Sequence, residues 1–141
     1  MEVSDVRKRV RDTIERARRH NAERRLRNDE ATRAFGRFLE DIAVPLFKQI
    51  ANVLKIENYP FTVFTPSGGV RLMSDRSADD YVEITLDTSG DSPRITGRIS
   101  RSRGRHIVDA ERVVGHGDPA SVGEEDLLAF VLKELEPFVE K

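Results

Sequence analysis

The chain has 141 residues and no cysteine, 38% apolar and 35% charged residues, and a formal net charge of −1. The missing cysteines exclude disulfides, thiolate nucleophiles and cysteine-ligated zinc. The longest apolar run, residues 42–47, is far short of the ~20 residues that cross a bilayer, and residues 1–20 lack the apolar stretch of a secretory signal. A cytoplasmic protein with no membrane segment is therefore expected.

The small net charge conceals a division. Residues 1–37 hold twelve Arg/Lys against seven Asp/Glu, whereas residues 38–141 hold twelve against eighteen. Residues 1–30 contain no Pro or Gly and read as a charged helical arm, with Ser4 or Asp5 able to cap its start. Five acid-to-base pairs stand at the favourable i,i+4 spacing: Asp5–Arg9, Asp12–Arg16, Glu15–Arg19, Glu23–Arg27 and Asp29–Arg33. Each such pair supports an isolated helix by about 0.2–0.5 kcal/mol. The apolar stripe of the arm, Val3, Val6, Val10, Ile14 and Ala17, covers about two heptads, less than a coiled coil sustains. It suits a solvated arm or a short dimer seam.

Residues 31–56 read as a second, amphipathic helix. Ala31, Ala34, Phe35, Phe38, Leu39, Ile42, Leu46, Ile50, Val53 and Leu54 keep helical phase, with Phe47 beside them. Pro45 removes a backbone donor and predicts a kink in one helix rather than two separate helices. The turn residues Asn58, Tyr59 and Pro60 end it.

Period two then replaces period 3.6. Strands are predicted at 61–65, 70–74, 81–87, 94–101 and 106–114, joined by turns rich in Gly, Ser, Asp and Pro. The short connections predict a four- or five-stranded antiparallel meander over 61–114. Ser121 with Glu124 has the spacing of a capping box and opens a last helix over 122–138. The expected fold is α+β, a 1–30 arm followed by a 31–141 domain. Its kinked helix and C-terminal helix share one sheet face, and the opposite face, carrying Glu83, Asp87, Arg94 and Arg98, is wet.

Functional residues are sparse. Arg94, Arg98, Arg101, Arg103 and Arg105 lie on one predicted hairpin without an intervening acid, a ribbon able to follow a phosphate backbone. Against that stand a pI of about 6.3, the absence of interleaved aromatics, and the option of pairing Arg94 and Arg98 with Asp87 and Glu83 across strands. His116-Gly117-Asp118 sits on a loop and offers two candidate ligands or acid–base groups, short of a metal set. Residues 65–69 have glycines but lack the Lys and following helix of a phosphate loop.

These residues favour a non-enzymatic interaction or assembly module without a cofactor, homo-oligomeric through its N-terminal helices. The expected interface is Phe35, Phe38, Leu39, Ile42, Leu46 and Ile50, an apolar surface broader than a small sheet should cover. The alternative is a nucleic-acid-binding protein using the arginine-rich arm and the 94–105 hairpin. A small enzyme with the 115–118 loop at its site is the third reading.

Overall fold

A computed structural model describes residues 1–140. Its elements run α1 (Val3–Phe38), a π-helical turn (Leu39–Ala43), α2 (Val44–Ile56), β1 (Phe61–Phe64), β2 (Gly69–Ser74), β3 (Tyr81–Asp87), β4 (Arg94–Arg103), β5 (His106–Val113) and α3 (Glu124–Val139). The five strands form one antiparallel sheet in the order β1-β2-β3-β4-β5, the predicted meander.

The helical stretch from Val3 to Ile56 is continuous, and no break falls between the arm and the amphipathic segment. What changes near residue 31 is burial. Every residue up to Glu23 is exposed, Arg24 is half-buried, and Ala31 is the first buried side chain. The disturbance expected at Pro45 takes the form of the π turn just before it. A proline ring clashes with the carbonyl four residues back, and one extra residue in the preceding turn opens the space that this carbonyl needs.

The π turn also moves the buried stripe. Before it the core positions are Ala31, Ala34, Phe35 and Phe38; from its last residue onward they are Ala43, Leu46, Phe47 and Ile50. Phe47 is fully enclosed, while Val53, placed in the stripe by uninterrupted helical phase, is 59% exposed. Asn58 takes a left-handed φ of 71°, and the Tyr59 N–H reaches back 2.7 Å to the Leu54 carbonyl, closing the helix end.

One sheet face carries the core. Val70, Leu72, Val82, Ile84, Ile95 and Ile99 are buried together with Phe61. In register, Val70 faces Ile84 and Ile84 faces Gly97, while Leu72 faces Val82 and Val82 faces Ile99. Helix α2 lies over β1 and β2, and α3 lies against β3. Gly97 exists where it does because the Phe130 ring occupies the space above it: a Cβ there would stand 2.4 Å from two ring carbons. At the sheet's far edge, Arg112 of β5 reaches Glu134 of α3 at 2.8 Å.

The start of α3 differs from the capping expectation. The helix begins at Glu124 with Gly123 as N-cap, and Asp126 accepts the Gly123 N–H at 3.0 Å. Ser121 instead donates its hydroxyl to Asp118 at 3.1 Å in the preceding loop. The acidic first turn of Glu124, Glu125 and Asp126 complements the helix dipole.

Candidate functional site

The apolar residues expected at an interface fold inward. Phe35, Phe38, Leu46 and Ile50 belong to the chain's own core, and Leu39 and Ile42 pack partly buried against it. Phe35 and Phe38 stack with ring centroids 6.0 Å apart. The sheet together with α3 covers this surface, which the sequence alone suggested was too broad for them.

Large apolar side chains remain exposed on the arm. Val3, Val6, Val10 and Ile14 are 75%, 44%, 52% and 45% exposed and lie outside the core cluster of the described residues. They occupy the same heptad positions as Ala31, Ala34 and Phe35 further along, but the ~20° per heptad that a straight helix drifts adds up to roughly 60–80° over that distance. The exposed stripe therefore lies on the sector of the helix next to the face that seats it on the body. Arg24 marks the changeover, its guanidinium 3.4 Å from the Ser89 carbonyl in the β3–β4 turn.

None of the five i,i+4 pairs expected on the arm closes. Among the described residues the ion pairs are Arg71–Glu83, Arg98–Asp109 and Arg112–Glu134, all in the body. Exposed pairs gain too little in high dielectric to hold two long side chains together. The helix does show local side-chain bonds: Thr13 on the arm and Thr32 just beyond it donate to the carbonyls of Arg9 and Asn28 at 2.8 Å.

The five hairpin arginines do not form one ribbon. Alternation along β4 puts Arg94 and Arg98 on the face away from the helices and Arg101 and Arg103 on the helix-bearing side. Arg105 sits in the two-residue turn with Gly104, whose φ of 62° meets the demand of a tight hairpin turn. The register opposes Asp87 to Arg94 and Glu83 to Arg98, yet Glu83 is taken by Arg71, and Arg98 turns to Asp109 at 2.8 Å. Arg71 also lies 4.0 Å over the Tyr81 ring, a cation–π contact. The Asp109 hydrogen bond holds the Arg98 guanidinium charged, and the same bond lowers the Asp109 carboxyl below its ordinary range. This face carries positive and negative groups interleaved, with Thr96 and Ser100 buried between them.

The 115–121 loop brings His116, Asp118 and Ser121 together. The Asp118 N–H donates to His116 Nδ1 at 3.1 Å, and Ser121 Oγ lies 3.5 Å from His116 Nε2. An Nδ1 that accepts leaves the imidazole proton on Nε2, facing the hydroxyl. In that tautomer Nε2 has no lone pair to take the serine proton, so this arrangement does not activate Ser121 as a nucleophile. Asp118 accepts from Ser121 Oγ and from the Ala120 N–H at 3.0 Å. The constellation orders the loop ahead of α3. Among the described residues no three His, Asp or Glu side chains are placed to hold a metal ion.

A feature the sequence did not expose lies at the opposite end of the sheet. The β2–β3 loop, the β4–β5 hairpin and the C-terminal end of α3 enclose a cleft of about 570 Å³. Its basic groups, Arg76, Arg101 and Arg103, come from residues far apart in sequence, which periodicity cannot bring together.

Among the described residues no helix is long and apolar enough to cross a membrane. No protein-family model, curated protein or solved structure matches the chain.

Proposed function

We propose that the chain is an assembly module that self-associates through the exposed stripe of its N-terminal helix. One observation carries this reading: a helix of about 30 Å, from Val3 to Glu23 at 1.5 Å per residue, stands clear of the body while keeping four large aliphatic residues on one face. An arm needed only for solubility has no use for such a face. A second copy supplies one of the same length and phase, and two-fold pairing is the usual closed solution. The interaction surface in this reading is Val3, Val6, Val10 and Ile14, not Phe35–Ile50, whose side chains the body already uses.

Light scattering across micromolar concentrations tests it. The intact chain should show a mass above that of one copy, and Val10→Asp with Ile14→Asp should return it to the monomer. A strict monomer throughout, or a double variant that associates as before, rejects the proposal.

One observation favours a second reading, nucleic-acid binding. The arm's guanidinium groups have no ion-pair partner among the described residues and project along a solvated rod. Arg94, Arg98, Arg101, Arg103 and Arg105 diverge between two sheet faces and a turn, so this reading leans on the arm. Gel retardation of duplex DNA or RNA that falls steeply with salt supports it; absence of retardation at low salt removes it.

A further inference from the structure

The cleft at the far end of the sheet has a built character that assembly through the arm does not use. One wall is apolar: Phe61 and Phe138 meet edge to face, with centroids 6.1 Å apart and planes at 81°. Tyr59 stands beside them, its hydroxyl donating to the Val139 carbonyl at 3.3 Å. The opposite wall is basic. Arg101 and Arg103 flank Ser102 on β4 and therefore emerge on the same side of the strand, while Arg76 enters from the β2–β3 loop.

Three guanidinium groups gather around one cleft that two carboxylates also line, which leaves it net positive. Arg76 bonds the Asn58 carbonyl at 3.4 Å, and neither Arg101 nor Arg103 has a hydrogen-bond or ion-pair partner among the described residues. Two acids also line the cleft. Asp80 is committed: one of its oxygens accepts both the Ser102 N–H at 2.7 Å and the Ser102 hydroxyl at 3.0 Å. That clip fixes the strand between the two arginines and so sets where their side chains begin. Glu140 is exposed at the rim and forms no ion pair with them among the described residues.

We propose that this cleft binds a small phosphorylated ligand with a flat aromatic portion, of the mononucleotide class. Guanidinium forks match phosphate oxygens two at a time, and the Tyr59, Phe61 and Phe138 wall offers a surface for a planar ring. The volume falls within the ~300–1,000 Å³ typical of small-molecule sites. A polynucleotide fits less well, because Arg94 and Arg98 lie on the other face of the sheet.

Isothermal titration of the full chain with AMP, and separately with adenosine and inorganic phosphate, tests this. AMP should bind at least tenfold more tightly than either fragment. Arg101→Ala and Arg103→Ala should each weaken it tenfold or more, and Arg105→Ala, outside the cleft, should leave it unchanged. Circular dichroism confirms that each variant is folded. The proposal is overturned if AMP produces no heat at millimolar concentration, or if an Arg101→Ala/Arg103→Ala double variant binds as the parent does. A single-stranded oligonucleotide that binds far more tightly than AMP and is lost in the same variants also overturns it, in favour of a nucleic-acid site. None of these outcomes depends on whether the arm self-associates.

Discussion

The ring of Phe130 on α3 occupies the position that a side chain at Gly97 of β4 would need, with two of its carbons 2.4 Å from an ideal Cβ. The seating of α3 on β4 thus depends on one residue without a side chain in the second strand from the edge. Gly97→Ala forces the ring or the helix outward and should destabilise the fold by about 1–3 kcal/mol, the usual cost of overpacking. Urea unfolding reads this, and Phe130→Leu should recover part of the loss in the Gly97→Ala background though not in the parent.

Phe47 and Val53 distinguish the π turn from an unbroken α-helix. Phe47→Ala should cost about 3–5 kcal/mol, and Val53→Ser should stay within about 0.5 kcal/mol as an exposed position does. Comparable losses for the two variants would mean that the helix keeps one phase through Pro45.

Arg112 and Glu134 tie the outermost strand to α3, and the two ends of the pair are unequally covered. The Glu134 side chain is 12% exposed and that of Arg112 55%. Removing the arginine leaves a largely buried carboxylate alone, so Arg112→Ala should cost about 1–2 kcal/mol after allowance for solvent at the arginine. Arg112→Ala with Glu134→Gln should cost less than the two single changes added together, which a double-mutant cycle in urea measures.

Acid should weaken the sheet through Asp87 and Asp109. The Ser89 hydroxyl and N–H lower the Asp87 carboxyl, and Arg98 lowers Asp109, both below the ordinary 3.8. A carboxyl depressed in the folded state contributes stability above its unfolded pKa and loses it as pH falls through the folded value. The loss therefore belongs below about pH 4. Asp87→Asn and Asp109→Asn should each flatten the fall in unfolding midpoint over that range and leave its shape near neutrality unchanged.

The strands were legible because their alternation is regular: residues 81–87 were placed in full, and the other four to within two residues at either end. The partition of the 94–105 arginines between two faces follows from the same alternation. The π turn was harder to see. A one-residue insertion in a helix carries no periodic signature, and the only trace was Phe47, a large aromatic beside the stripe instead of in it. Whether Phe35, Phe38, Leu39, Ile42, Leu46 and Ile50 face a partner or the body depends on how much surface the sheet and α3 cover, a three-dimensional quantity. The arginine cleft was beyond reach for a related cause, since Arg76 meets Arg101 and Arg103 only when the loop and hairpin fold to the same end of the sheet.

The continuous helix has one mechanical consequence. Because α1 enters the body without a loop, the direction of the arm is set by the packing of Phe35 and Phe38, and its tip cannot swing independently of the sheet. Paired at their tips, two copies would hold their sheets at a separation counted in residues, as graduations on a ruler. Lengthening the arm by seven residues would move each body about 10 Å outward at nearly the same azimuth, whereas adding five would turn it to another side of the strut.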